Sequence, residues 1–267
     1  MDLLSYDFFI NAVLAALFTS ISCGIIGTYI VTKRIVFISG GITHTSFGGI
    51  GIGYFIGINP LIGAVVFAIL SALGIEYVSK KTDVREDSAI AIFWSFGMAI
   101  GIIFIYLTPG YAPNLMSFLF GSILTVTSQE LWLISGLAVL NIVYFTVFYK
   151  TILFIAFDEE FSKTRSVPVM FFNYFTIILV ALTIVLSIKI AGIILILSLL
   201  TIPQSTSNMF LKDFKQIIFF SIVISIVASM AGLSISYYLN IPSGATIIFS
   251  LVLVFIFARI LKALLNR

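Results

Sequence analysis

Nine apolar runs, each close to the length of a membrane-spanning helix, most constrain what this chain can fold into. The runs cover residues of about 7 to 31, 42 to 57, 60 to 79, 88 to 108, 131 to 149, 170 to 188, 190 to 210, 216 to 239 and 241 to 262. With 61% hydrophobic and 9% charged residues, the chain has too few polar side chains to cover a water-soluble globule. Since a spanning helix needs about 20 apolar residues, the sequence predicts an all-α, polytopic transmembrane helical bundle. We expect about 8 or 9 spanning helices in a single domain over residues 1–267.

The basic residues predict how this bundle is oriented. If the N-terminus lies outside, thirteen of the 14 Lys and Arg residues fall on the cytoplasmic side and only Lys189 falls outside, in agreement with the positive-inside rule. We therefore expect a multi-pass protein of the cell membrane, surrounded by lipid, with its N-terminus outside and its C-terminus cytoplasmic. The net charge of +3 is explained by this topology and does not indicate nucleic-acid binding.

The stretch from Lys150 to Pro168 is amphipathic and lies on the cytoplasmic side of the expected topology. On a helix, one face would carry Phe154, Phe157 and Phe161, and the other would carry Asp158, Glu159, Ser162 and Lys163. Two interpretations stay open: a helix lying in the lipid headgroups, or a helix that docks into a partner protein.

A shorter apolar stretch, Met116 to Thr127, follows an external turn at Pro109 to Asn114. It is too short to cross a bilayer comfortably. Since a crossing here would invert every later segment and destroy the charge bias, we predict a re-entrant or outer-surface helix.

The second apolar run is rich in glycine. Gly49, Gly53 and Gly57 recur every four residues and predict a face on which another helix packs closely. The pair Gly40–Gly41 predicts an unwound turn at the cytoplasmic end of this segment.

His44 follows that glycine pair and is the only histidine in the chain. An ionisable side chain within a membrane is costly unless it is paired or used, so His44 is either a hydrogen-bonded structural residue or a transient ligand for a divalent metal ion. A transport path needs weak sites with few ligands, because a tightly held ion would not leave. Cys23 is the only cysteine, which excludes an intramolecular disulfide and a thiolate cage.

The seventh run is hydroxyl-rich at its cytoplasmic end, where Pro203 is expected to kink the helix or free a backbone carbonyl near residue 199. This end either lines a water-filled path or makes an ordinary hydrogen-bonded contact between helices. The chain contains no phosphate-binding loop of the G-x-x-x-x-G-K-[ST] kind and, with one histidine, no catalytic triad. We therefore do not expect an enzyme.

Three separated segments together resemble the integral membrane permease of the metal-type (zinc/manganese/iron) ATP-binding cassette importers. They are KRIVFISGGITHTSFGGIGIGY from Lys33, FDEEFSKTRSVPV from Phe157 and AGIILILSLLTIPQSTSNMF from Ala191, and FLFGSILTVT from Phe118 is similar to the short helix that follows the external turn in the family. The segments stand in the family's order and spacing, and the resemblance covers about residues 10 to 262.

This resemblance implies the permease subunit of an ATP-driven importer that forms the path of a divalent transition metal ion (Zn, Mn or Fe). Its expected partners are cytoplasmic ATPase subunits, which hydrolyse the ATP, an extracytoplasmic metal-binding protein, and a second copy or a close relative of the chain. No cofactor is expected to be bound permanently; the metal ion is the cargo. The implied site residues are His44 as a metal ligand, Thr43, Ser46, Ser198 and Gln204 lining the path, and Phe157, Asp158, Glu159 and Phe161 contacting the ATPase.

The sequence departs from the family pattern at three places. Gly40 stands where many members carry Asp, Ser166 stands where Gly or another small residue is common, and Gln204, Ser205 and Ser207 replace a mostly alanine pattern. Other functions stay open: a permease for a metal chelate such as a siderophore or cobalamin, an ion-gradient-driven carrier, and a structural scaffold. A gradient-driven carrier would need a carboxylate within the membrane, and no Asp or Glu lies in the middle of a run.

Overall fold

The computed structural model describes residues 7–109, 121 and 123–265, and all regular secondary structure in this part of the chain is helical. The eleven α-helices of these residues are α1 (Asp7–Thr32), α2 (Val36–Ile56), α3 (Pro60–Lys81), α4 (Glu86–Leu107), α5 (Ser128–Val147), α6 (Tyr149–Phe157), α7 (Glu159–Thr164), α8 (Val169–Leu199), α9 (Ile202–Phe210), α10 (Phe214–Leu239) and α11 (Ser243–Leu265). A 3-10 turn covers Ile123–Thr125. The predicted all-α bundle is confirmed.

Seven helical stretches are long and apolar enough to cross a membrane, and one of them, Val169–Phe210, is twice the usual length. At 1.5 Å per residue, its 42 residues would extend about 63 Å as one straight helix, whereas the hydrocarbon core is about 30 Å thick. Gly192 interrupts the helical backbone with φ 78° and ψ 162°. The stretch therefore divides at Gly192, as the separate runs at 170 to 188 and 190 to 210 predict.

Contacts with α5 show that the chain turns back at this glycine. Before the glycine, the Thr176 hydroxyl lies 2.8 Å from the Tyr144 hydroxyl near the end of α5, and Lys189 pairs with Glu130 in the first turn of α5. After the glycine, the chain has returned to the other end of α5, where the ring of Phe214 contacts that of Tyr149 just past the end of α5. Val169–Phe210 thus crosses the bundle twice. With α2 included, the described residues make nine crossings.

The charged residues lie at opposite ends of this bundle. Lys33, Lys80 and Glu159 cluster at the end where α5 finishes, which we call the Lys80 end. Lys189 lies with Glu130 at the opposite end, the Lys189 end. Lys189 is thus separated from this lysine cluster, as the predicted topology requires.

The second helix, α2, lies inside the bundle and packs along α3, α4 and α8. The predicted unwound turn at Gly40–Gly41 is wrong, since α2 is continuous from Val36 to Ile56. The glycines serve close packing instead: a Cβ atom at Gly41 would lie 2.6 Å from Cγ2 of Ile90 on α4. The break in the chain comes earlier, where Arg34 adopts φ 62°.

The predicted glycine face is confirmed at two of its three positions. A Cβ atom at Gly49 would lie 2.0 Å from the carbonyl oxygen of Gly63 on α3, and one at Gly53 would lie 2.9 Å from Cα of Pro60. Gly57 has another role, because it ends α2 in the left-handed conformation at φ 76°.

We expect Gly49→Ala to prevent stable insertion of the chain, because the added methyl group would overlap the α3 backbone and force α2 and α3 apart. Overpacking of this kind costs about 1–3 kcal/mol or more. The measurement is the amount of full-length protein in the membrane and its midpoint of thermal unfolding in detergent. Gly136→Ala is the matched control, since a Cβ atom there meets nothing within 4 Å. Equal abundance and unfolding midpoints for both variants would contradict this packing.

The predicted re-entrant or outer-surface helix at 116–127 lies largely outside the described residues, as does most of the turn before it. Of this stretch, Gly121 packs against the turn at Gly192, where a Cβ atom would lie 2.3 Å from the backbone nitrogen.

Candidate functional site

His44 is the one residue that is not fully buried in a long stretch of α2. Every other residue of α2 between Ile38 and Gly51 is buried, whereas His44 is half-buried. It shares a line along the helix with Phe37 and Phe55, at spacings that are close to whole numbers of turns. An imidazole facing lipid would be costly. The surface around His44 is therefore better suited to water or to another protein surface than to acyl chains.

The imidazole of His44 stacks flat on the indole of Trp94 from α4. Their ring centroids are 4.1 Å apart and their planes differ by 8°. This contact could not be predicted from the sequence, because Trp94 is one aromatic residue inside an apolar run. Gly40, one turn before His44 on α2, also lies close to the indole: a Cβ atom at Gly40 would lie 3.4 Å from Cζ3 of Trp94.

Thr43 and Ser46, the predicted polar neighbours of His44, are buried. Their hydroxyls donate to backbone carbonyls of α2 itself, Thr43 to Ser39 at 2.5 Å and Ser46 to Thr43 at 2.7 Å. Within the described residues, no group of three or more His, Cys, Asp or Glu side chains could together hold a metal ion. One copy of the chain thus presents a single imidazole here.

Gln204, the next predicted path residue, is buried between α1 and the break that joins α8 to α9. Its amide nitrogen Nε2 donates to the carbonyls of Cys23 at 2.8 Å and Leu199 at 3.0 Å. In a continuous helix the carbonyl of Leu199 would accept a hydrogen bond from the backbone N–H of residue 203. Pro203 has no N–H and cannot donate it. The predicted freed carbonyl near residue 199 is confirmed, and Gln204 satisfies it.

Ser198, by contrast, is half-buried and donates to the carbonyl of Ile194 at 3.0 Å. The structure thus does not bring Ser198 or Gln204 into contact with His44 through any hydrogen bond among the described residues. Their path-lining role stays a prediction.

The amphipathic stretch at 150–168 forms two helices rather than one. α6 ends at Phe157, Asp158 is extended at φ −150° and ψ 95°, and α7 begins at Glu159. The new helix starts here because the Asp158 carboxylate accepts the backbone N–H of Phe161 at 2.9 Å as an N-cap. Ser166 then adopts φ 57°, a left-handed conformation that glycine adopts most easily.

The aromatic side chains of this stretch face away from the bundle. Phe154, Phe157 and Phe161 are exposed, Phe157 at 68%. The guanidinium of Arg165 lies 5.3 Å from the ring centroid of Phe161, a cation–π contact on the same surface. We call Phe154, Phe157 and Phe161 the aromatic face; it is available to a partner.

Glu159, predicted to belong to the same contact, turns inward instead. Its carboxylate accepts two hydrogen bonds from Lys80 Nζ, at 3.0 and 3.2 Å, and lies 3.9 Å from Lys33 Nζ. Lys80 also pairs with Glu76 one turn earlier on α3, at 2.8 Å. Glu159 therefore ties α7 to α3 and to the end of α1.

Burial alone would raise the pKa of the Glu159 carboxyl, but hydrogen bonding from Lys80 and the charges of Lys80 and Lys33 outweigh it and hold that pKa below its usual range. Because the pKa is lower in the folded chain than in the unfolded chain, this tether stabilises the structure fully above the ordinary Glu pKa of about 4.3. The contribution is lost as the pH falls through the lowered value.

We expect Glu159→Gln to loosen α7 at neutral pH, because the amide cannot replace the charge between Lys80 and Lys33. A partly exposed ion pair contributes up to about 1 kcal/mol, which corresponds to roughly fivefold faster amide hydrogen exchange in α7. Glu160→Gln is the matched control, since within the part of the chain that the structure describes Glu160 pairs only with Lys163, and its side chain is 84% exposed. Equal exchange rates in the two variants would show that Glu159 does not tether the helix.

These features define a class of protein: a polytopic helical membrane protein with a half-buried histidine on an interior helix and an exposed aromatic face on short helices at one end. Comparison with known proteins identifies the family. Residues 5–262 match the ABC 3 transport family, and the chain belongs to this family.

Named relatives agree with this assignment. The chain is 41% identical to a protein of Chlamydia pneumoniae named a probable metal transport system membrane protein, over 88% of this chain and 82% of the relative. It is 30% identical to the manganese transport system membrane protein MntC of Halalkalibacterium halodurans, over 92% of this chain and 85% of that one. The structure of PsaBC from Streptococcus pneumoniae in complex with Fab superposes with a TM-score of 0.85 at 29% identity, over 96% of this chain and 92% of that chain.

The chain is therefore a membrane-spanning transport component and not an enzyme. The resemblance inferred from the three motif segments is confirmed at the level of the family.

Proposed function

We propose that this chain is the permease subunit of an ATP-driven importer and that it carries a free divalent transition metal ion across the cell membrane past His44. The single observation that carries this proposal is the half-buried imidazole on an otherwise buried stretch of α2. A neutral imidazole is a ligand for Zn, Mn and Fe. A site with one such ligand per chain binds weakly enough to release its ion.

The path itself is proposed to lie between this chain and a second copy. Two copies facing each other across the α2–α4 surface would give the ion two imidazoles and would shield both from lipid. A homodimer is the simplest assembly that does this, and a close relative could take the place of the second copy.

Manganese is the first cargo to test among Zn, Mn and Fe, because the relative from Halalkalibacterium halodurans is named for manganese transport. The chelate alternative is not favoured, since the named relatives specify metal or manganese transport. Uptake of free ion in preference to a metal chelate would agree with this choice.

The remaining partners follow from the orientation that we propose. The Lys80 end, with its cluster of lysines, faces the cytoplasm in accordance with the positive-inside rule, so the N-terminus lies outside and the C-terminus inside. An ATPase subunit would then seat the aromatic face of α6 and α7 in an apolar cleft, and an extracytoplasmic metal-binding protein would deliver the ion at the Lys189 end.

The experiment is to measure cellular metal content by mass spectrometry under metal limitation, in cells with and without the chain. We expect the deletion to lower one of Mn, Zn or Fe selectively, with restoration by the intact chain. Loss of metal only when it is supplied as a chelate would contradict the proposal.

A further inference from the structure

Among the described residues, Trp94 is the one whose side chain contacts the ring of His44 face to face. The indole and the imidazole are nearly parallel, at 8°, with centroids 4.1 Å apart. Trp94 is itself half-buried, so the pair sits at the margin of the α2–α4 surface. One face of the imidazole is covered by the indole, and neither ring nitrogen is both fully buried and unpaired.

Nothing else among the described residues fixes the orientation of this imidazole. Across residues 7–109, 121 and 123–265, neither ring nitrogen of His44 has a hydrogen-bond partner. The hydroxyls of Thr43 and Ser46 donate to their own helix. A metal-binding histidine is ordinarily oriented by a second contact, most often a hydrogen bond that its other ring N–H donates. Here the stacked indole is the contact that can supply this orientation.

The backbone holds Trp94 firmly in this place. Gly97, one turn further along α4, packs so closely on α2 that a Cβ atom there would lie 2.5 Å from Cα of Thr45. A Cβ atom at Gly40 would lie 3.4 Å from Cζ3 of Trp94, so the indole extends to contact distance of the α2 backbone. The separation of α2 and α4 is therefore fixed at this point, which keeps the indole within stacking distance of the imidazole.

We propose that Trp94 is the positioning residue of the cargo site, which holds His44 so that the edge of its ring meets the metal ion. The lone pair that binds a metal lies in the plane of the imidazole, so a stacked ring keeps its ligand atom free while one face is blocked. Trp94 contacts His44 and not the metal ion, so its effect on transport passes through His44. This inference rests on the proposed function of His44.

The first test is the dependence of uptake on Mn²⁺ concentration, in cells that hold equal amounts of each variant in the membrane. We expect Trp94→Ala to raise the KM at least fivefold and to leave the maximal rate within twofold. Trp94→Phe retains a stacking ring and should keep the KM within twofold of the parent. Phe96→Ala is the matched control, because Phe96 is an exposed aromatic residue of the same helix.

The double variant separates positioning from a general structural role. If Trp94 acts through His44, then Trp94→Ala adds no further increase in KM in a His44→Ala background. A multiplied increase, or a normal KM in Trp94→Ala alongside a raised KM in His44→Ala, would overturn the positioning role and leave the ligand role intact. A normal KM in His44→Ala would overturn the ligand role, and the positioning role with it.

A binding measurement covers the case in which Trp94→Ala fails to insert. The chain has 2 tryptophans, so Trp132→Phe leaves Trp94 as the single tryptophan, whose fluorescence is excited selectively over that of tyrosine. In purified Trp132→Phe protein in lipid nanodiscs, we expect Co²⁺ to quench the fluorescence saturably, Zn²⁺ to reverse the quenching, and His44→Ala to abolish it. Absence of saturable quenching, or quenching unchanged by His44→Ala, would overturn the proposal.

Discussion

Phe157→Glu is expected to abolish uptake while the chain still inserts in the membrane. Phe157 is 68% exposed at the end of α6, so the substitution disturbs no packing within the chain. A carboxylate would instead be buried without a partner in the apolar cleft that we propose for the ATPase. Loss of one central anchor costs about 2 kcal/mol or more, so binding should weaken at least 30-fold, and an added buried charge weakens it further.

The measurement is copurification of the ATPase with the tagged chain, together with metal uptake at matched membrane abundance. Phe157→Leu is the control, since it shortens the side chain but keeps an apolar surface. We expect Phe157→Leu to retain the ATPase and a large part of the uptake. Normal copurification and normal uptake in Phe157→Glu would remove the aromatic face from the docking surface.

His44→Ala is expected to have the second large effect, by a different route. The alanine leaves α2 intact, because the imidazole is only half-buried and has no hydrogen bond among the described residues. The ion, however, loses the one histidine that each chain offers. Loss of a partner that only orients a metal ligand weakens metal binding about 10- to 100-fold, so we expect the loss of the ligand itself to lower uptake at limiting metal by at least tenfold.

The membrane architecture could be predicted from the sequence because it depends on the length and polarity of runs. The two crossings on either side of Gly192 illustrate this point: the helix is nearly continuous in the backbone, but 42 residues exceed what one crossing can hold. The carbonyl of Leu199 that lacks a helical partner could likewise be predicted, because Pro203 has no backbone N–H. The predicted unwound turn at Gly40–Gly41 is absent, because the close packing of α4 against these glycines, and not their flexibility, determines the backbone there.

The candidate site could be predicted only in part. His44 stands out as the single histidine of an apolar chain, and the phenylalanines at 154, 157 and 161 stand out by their spacing. Trp94 has no such signal, because its role depends on its contact with His44, which lies 50 positions away in the sequence and on another helix. Glu159 shares the polar face of its segment, and only the fold shows that it points to Lys80 and Lys33 rather than outward.

Uptake of Mn²⁺ by the assembled transporter with His44→Ala tests the central claim most directly. The chain, its ATPase and the binding protein would be reconstituted in vesicles, and transported ⁵⁴Mn²⁺ would be counted with ATP present. Ser234→Ala, an exposed hydroxyl on α10, is the control. The account predicts that His44→Ala retains the ATPase but loses at least 90% of uptake at limiting Mn²⁺, a tenfold effect, whereas Ser234→Ala transports normally. Uptake by His44→Ala equal to that of the control would contradict a path that passes this histidine.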